Sequence, residues 1–133
     1  MAQEYRVLLE YADKINPEKA SDYIKVGGYK GLEKARSMNP KDLIEEVKKS
    51  GLRGRGGAGF NAGMKWSFVP QYPETKYVVC NLDEGEPGTY KDRIICQKNA
   101  QALLEGMAIC GYAIGSKQGY IYCRGEYPFV VEL

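Results

Sequence analysis

Residues 51–68 read Gly-Leu-Arg-Gly-Arg-Gly-Gly-Ala-Gly-Phe-Asn-Ala-Gly-Met-Lys-Trp-Ser-Phe, with six glycines between Gly51 and Gly63. No other stretch restricts the fold as much. Glycine gives up order for access: it tolerates φ > 0 and lets backbone N–H groups come close to a ligand. Arg53, Arg55 and Lys65 flank the run, and Phe60, Trp66 and Phe68 gather at its far end. The cations point to an anionic ligand, with phosphate the first candidate. A flexible linker is the alternative reading. Linkers favour serine, however, and do not usually carry two arginines, two phenylalanines and a tryptophan.

Gly54-Arg55-Gly56-Gly57-Ala58-Gly59 satisfies G-x-G-x-x-G, which marks a dinucleotide fold only when a strand precedes it and a helix follows. Here a helix is predicted before it. Asn39-Pro40 is a cap followed by proline at the first helical position. Leu43, Ile44 and Val47 form an apolar stripe over residues 40–49. Glu45 and Lys49 make an i,i+4 pair, and Gly51 is the expected residue just past the end. A conventional Rossmann fingerprint is therefore rejected. The Walker pattern also fails, because Met64 separates Gly63 from Lys65 and Trp66 follows.

Before this helix the pattern is weaker. Val7, Leu8, Leu9 and Tyr11, within residues 4–15, suggest a short strand. Asn16-Pro17 suggests a helix over 17–25 that stops at Gly27-Gly28, with another helix over 29–37. After the glycine run, Tyr77-Val78-Val79-Cys80 predicts a strand over 76–81, apolar enough to be buried on both faces. A loop follows, Asp83-Glu84-Gly85-Glu86-Pro87-Gly88. Leu103, Met107, Cys110 and Ile114 recur at helical spacing over 100–114. A second strand is expected over 120–124 and a second loop over 125–128. Strand, helix, strand is a βαβ unit with parallel strands, whose ligands sit beyond the carboxyl ends of the strands. Both acidic loops should open there, with the glycine loop lying across them.

Asp83, Glu84 and Glu86 fit an acid/base or Mg²⁺ cluster, or a solvated acidic turn, which composition alone favours. Their place at a strand's carboxyl end beside a cationic loop favours ligand binding. Carboxylates accept hydrogen bonds from sugar hydroxyls and ring N–H groups but repel phosphate. The sequence thus divides the task, with cations and backbone amides for phosphate and acids for polyol and ring. Arg93 and Arg124 would neutralise the acids.

The chain has no histidine, which removes histidine-based catalytic triads and every His-containing metal site. Cys80, Cys96, Cys110 and Cys123 are widely spaced. Four ligands for a cluster exist by count, but the spacing lacks the tight loop such sites use. They read as reduced, mostly buried thiols, since no secretory signal opens the chain. A net charge of +2 is too balanced for a nucleic-acid partner. No apolar run reaches the roughly 18–20 residues of a membrane span.

Taken together, the motifs resemble a known family. Residues 51–68 resemble the flavin loop of the NADH-binding flavoprotein subunit of respiratory complex I, a subunit type shared by NAD-linked hydrogenases and formate dehydrogenases. Residues 80–93, Cys-Asn-Leu-Asp-Glu-Gly-Glu-Pro-Gly-Thr-Tyr-Lys-Asp-Arg, are similar to its second signature. Residues 120–128, Tyr-Ile-Tyr-Cys-Arg-Gly-Glu-Tyr-Pro, are similar to a third. Residues 15–32 look like its approach segment.

The resemblance implies an α/β chain: the N-terminal portion of a Rossmann-like FMN-binding domain over 41–133, preceded by short helices in an approach segment over 1–40. It implies hydride transfer from NADH to FMN and single-electron transfer onward to iron–sulfur proteins, with the flavin rather than a side chain carrying the chemistry. Gly54, Arg55, Gly56, Gly57 and Lys65 would hold FMN. Asn81, Asp83 and Glu84 would hydrogen-bond its ribityl chain and ring. Phe60 and Phe68 would flank the adenine of NADH, and Glu86 would lie near the nicotinamide.

A cytoplasmic subunit, peripheral to a membrane complex, is implied. Asn61-Ala62 stands where the family usually has Pro-Thr, an expected loss of stiffness and of one hydroxyl. The family runs several times longer, so a chain cut after Leu133 is expected. Its flavin site would be incomplete, and the cysteines of a four-iron cluster would lie in the missing part. A non-catalytic remnant that binds a partner subunit or free nucleotide is the alternative. A phosphate-binding NTPase module ranks below both.

Overall fold

The computed structural model describes residues 5–133; Glu4, the first residue of the weakly patterned opening stretch, and the three residues before it lie outside the described residues. Eight elements follow along these residues: α1 (Ala20–Lys25), α2 (Lys30–Ser37), α3 (Pro40–Lys49), α4 (Ala62–Ser67), β1 (Tyr77–Leu82), α5 (Lys91–Ile114), β2 (Gln118–Cys123) and α6 (Pro128–Val131). β1 and β2 are neighbours in a two-stranded parallel sheet, and α5 connects them. This is the expected βαβ unit.

The chain divides into two compact units. One comprises Gly31–Val79 and Met107–Tyr120. Its core is Ala35, Leu43, Ile44, Ala113 and Ile114, with Met38, Val47, Trp66 and Val69 packed against it. α3 begins and ends as its sequence requires. The Asn39 side chain accepts the Lys41 N–H at 2.9 Å, Pro40 occupies the first turn, and Gly51 takes φ +71° just past the end. α4 packs on α3 through Gly63, where a Cβ would lie 2.3 Å from the Lys48 nitrogen. The Tyr112 hydroxyl donates to the Met38 carbonyl at 2.8 Å and so ties α5 to the turn between α2 and α3.

The other unit comprises the chain up to Lys30, Cys80–Gly106 and Ile121–Leu133. It is held partly by polar contacts. Buried Glu105 accepts the Tyr23 hydroxyl at 2.6 Å and the Tyr29 N–H at 3.0 Å. The Tyr29 hydroxyl donates to Gln101 at 2.6 Å. Gly28 is needed beneath this network, because a Cβ there would lie 2.1 Å from the Tyr23 ring.

Several expectations are corrected. Val7, Leu8, Leu9 and Tyr11 form no strand. Successive backbone bonds Glu10→Val7, Ala12→Leu9 and Lys14→Tyr11 wind them into turns, the outcome for β-prone residues without a neighbouring strand. The first helix does not start at Pro17. The Asn16 side chain accepts the Glu18 N–H at 2.9 Å and caps a turn, so α1 begins only at Ala20. Glu45 pairs with Lys48 at 2.6 Å rather than with Lys49. β1 is covered on one face only, leaving Tyr77 and Val79 exposed. α5 starts nine residues early and is interrupted at Asn99 (φ −156°, ψ 48°). α4 and α6 were not expected. Of the four thiols only Cys96 is buried; the others are half-buried, and all four are free.

Candidate functional site

In the first unit the glycine run forms a closed loop. Two backbone bonds lock its neck: the Gly54 N–H donates to the Phe60 carbonyl (2.9 Å) and the Ala62 N–H to the Leu52 carbonyl (2.8 Å). Arg53 donates from Nη1 to the Gly59 carbonyl at 3.0 Å, and Arg55 from Nη1 to the Arg53 carbonyl at 2.8 Å. The arginines therefore brace the loop as well as charging it. Gly57 (φ +113°) and Gly59 (φ +62°) occupy the left-handed region that glycine tolerates. Gly56 has ordinary φ, yet no atom lies within 4 Å of where its Cβ would be. The conformation does not require glycine there, and nothing in the chain fills the space beside it. Among the described residues the N–H groups of Arg55, Gly56, Gly57 and Ala58 have no acceptor. Four successive unpartnered amides on exposed glycine-rich backbone are available to an anion such as a phosphate.

Asn61 closes the loop and opens α4. Its side chain accepts the Met64 N–H at 2.8 Å and donates to the Lys48 carbonyl at 3.2 Å. An N-cap and a tie to α3 hold this position. Lys65 is exposed on α4. Phe60 and Phe68 are about half exposed (48% and 49%), with ring centroids 6.3 Å apart and a 49° tilt. They form an open apolar wedge. Trp66 instead packs against the core.

In the second unit the loop after β1 holds the acids. The Asn81 side chain accepts the Asp83 N–H at 3.0 Å. Asn81, Asp83 and Glu86 are exposed, whereas Glu84 is only 5% exposed. The Glu84 carboxylate accepts the N–H groups of Asp92 (2.9 Å) and Arg93 (3.4 Å) at the start of α5. It also accepts the Tyr127 hydroxyl at 3.3 Å. Burial pushes this carboxyl up, but the donors from Asp92, Arg93 and Tyr127, with the Lys91 charge, outweigh burial and hold it below its ordinary value. The loops after β1 and β2 are in contact through Glu84. Arg124 donates to the Glu84 carbonyl and pairs with Glu126 at 2.8 Å. The Arg93 guanidinium lies over the Tyr127 ring, 5.8 Å from its centroid.

Arg124 therefore pairs directly with Glu126, and its charge also acts on Asp83 after β1. Among the described residues no three His, Cys, Asp or Glu side chains converge as metal ligands. The Mg²⁺ cluster has no geometry behind it, and the cysteines here do not form a four-iron ligand set. Sequence reading missed the capping role of Asn61, the contact at Gly63 and the Tyr127–Glu84 bond. Only the first had a local signal, an Asn preceding a helix, and the glycine at position 63 masked it.

Residues 47–133 match the family described as the Nuo51 FMN-binding domain. The F subunit of NADH-quinone oxidoreductase from Aquifex aeolicus (strain VF5) is 52% identical over 122 residues, covering 92% of this chain and 29% of that protein. The NADP-reducing hydrogenase subunit HndC of Solidesulfovibrio fructosivorans is 43% identical over 131 residues, covering 98% of this chain and 26% of that protein. Among solved structures, an NAD⁺-reducing [NiFe]-hydrogenase in the H₂-reduced state superposes with a TM-score of 0.74 at 32% identity. That match covers 96% of this chain and 21% of the other. The chain thus spans less than a third of the length of these relatives. With its glycine loop and both strand-end loops inside the matched residues, the chain belongs to the family of the Nuo51 FMN-binding domain.

Proposed function

We propose that this chain supplies FMN and NADH contacts to an oxidoreductase in which NADH reduces FMN and electrons pass on to iron–sulfur partner proteins. The observation that carries this reading is the run of four free amides from Arg55 to Ala58 on backbone with open space at Gly56 and Gly57. Arg55, Gly56 and Gly57 hold the phosphate through backbone N–H groups, Gly54 shapes the loop by donating its own N–H to the Phe60 carbonyl, and Lys65 adds charge. Exposed Asn81 and Asp83 accept hydrogen bonds from the ribityl hydroxyls and ring. Glu84, already engaged by three donors of its own chain, contributes mainly by fixing that loop. Phe60 and Phe68 receive the adenine of NADH, and Glu86 lies toward the nicotinamide. Bound FMN would accept a hydride and release electrons singly, chemistry no side chain here supplies.

The relatives above are named as subunits, which supports work inside a multi-subunit assembly. No helix among the described residues is long and apolar enough to cross a membrane. This is compatible with a cytoplasmic position, peripheral to a membrane complex. Residues 1–40 act as the approach to the flavin-binding part over 41–133.

The test is a titration of FMN fluorescence with the 133-residue chain, followed by addition of NADH under anaerobic conditions. Saturable quenching and bleaching of the bound yellow flavin are expected. Absence of any FMN binding by this chain and by a longer form carrying it would leave the non-catalytic binding reading in its place.

A further inference from the structure

Glu84 is the least exposed carboxylate of the acidic loop, and three elements converge on it. The start of α5 supplies two N–H donors to its carboxylate, and Tyr127 supplies a hydroxyl. Arg124, just past β2, grips its carbonyl with one arm of the guanidinium and Glu126 with the other. Arg93 covers the Tyr127 ring. Neither Arg124 nor Tyr127 needs to touch a ligand for these contacts to matter. They fix the backbone that carries exposed Asn81, Asp83 and Glu86.

We propose that Arg124 and Tyr127 are positioning residues that act through Glu84, holding the loop over residues 81–86 in the shape that receives the flavin. This rests on the flavin reading given above. The two arms act on different atoms, so they leave different signatures. Arg124 holds a carbonyl, which does not titrate, through a planar fork that lysine cannot reproduce. Tyr127 donates to a carboxylate and therefore helps set the pH at which that carboxylate protonates. The charged and titratable groups facing Glu84 are Lys91, Asp92 and Arg93 at the start of α5, Cys96 one turn on, and Arg124 and Tyr127 after β2.

The experiment compares wild type with R124K, Y127F and E84Q in two measurements across pH 3–8. One is FMN affinity. The other is hydrogen exchange at the Asp92 and Arg93 amides without flavin. In wild type, amide protection and FMN affinity should fall together as acid protonates Glu84. Y127F should move both midpoints to higher pH, and E84Q should abolish the pH dependence of protection. R124K should weaken FMN binding about tenfold, the size of one lost charge-assisted hydrogen bond, without moving the midpoint. A Y127F variant that loses affinity equally at every pH, or an R124K variant that binds as wild type, overturns the proposal. If wild type binds no FMN, the flavin reading fails. The exchange midpoints of wild type and Y127F then decide whether Tyr127 governs Glu84, and coincident midpoints overturn that coupling.

Discussion

At the scale of single residues, two glycines of one stretch serve opposite ends. Gly63 is glycine because α3 leaves no room, and Gly56 is glycine although its surroundings are empty. Gly63→Ala should cost about 1–3 kcal/mol, as overpacking does, read as a lower denaturant midpoint. Gly56→Ala should leave that midpoint unchanged and weaken FMN binding. Equal loss of stability in both variants would mean that position 56 is structural. The cysteines permit a second check. Burial pushes the thiols of Cys96 and Cys110 up to about 11. At pH 8 few of them ionise, and the thiolate is the reactive form. Mass spectrometry after iodoacetamide treatment should find these two unlabelled in the native chain and labelled after unfolding.

At the scale of elements, local sequence succeeded where an element is self-contained. The Asn39 cap, Pro40 and Gly51 all belong to α3 and its ends, and its bounds were read correctly. It failed where a side chain from elsewhere decides the matter. α5 starts at Lys91 because Glu84 accepts its first N–H groups, a contact that apolar periodicity does not register. α4 has only six residues, a glycine among them, and is too short to form alone. Its cap and its packing on α3 hold it in place. Asn61→Ala removes the cap and the tie to the Lys48 carbonyl together. The loss should be about 1–2 kcal/mol, near the upper range for caps, measured by urea unfolding. Circular dichroism should show α3 intact.

At the scale of the whole molecule, acid stability follows from carboxyls held below their ordinary values. Hydrogen bonding from Lys98 does this for Asp13 and from Lys25 for Asp22, both at the surface, where such pairs contribute little. Glu84 is buried, where solvent screens its hydrogen bonds less. A carboxyl depressed by folding contributes fully above its unfolded pKa, and the contribution is lost as pH falls through the folded value. Wild type should therefore lose stability progressively from about pH 5 downward, since an unfolded glutamate titrates near 4.3. E84Q should start less stable at neutral pH and lose less over the same range. Urea midpoints at a series of pH values measure both, and parallel curves would remove Glu84 from this role.

The sequence by itself determined the ligand class and the order of parts. A glycine loop with cations, an acid-bearing loop after one strand and a second such loop after the next are written in consecutive residues, and their chemistry needs no partner to be read. It also determined α3 and the βαβ order, because caps and periodicity are local. Only the tertiary structure decided what each acid does. Asp83, Glu84 and Glu86 are alike in composition, but Glu84 alone faces the start of α5 and Tyr127, separated from it by 8 and 43 positions. Burial and hydrogen-bond partners assign different roles to carboxylates of like charge, and both depend on residues that sequence spacing does not bring together.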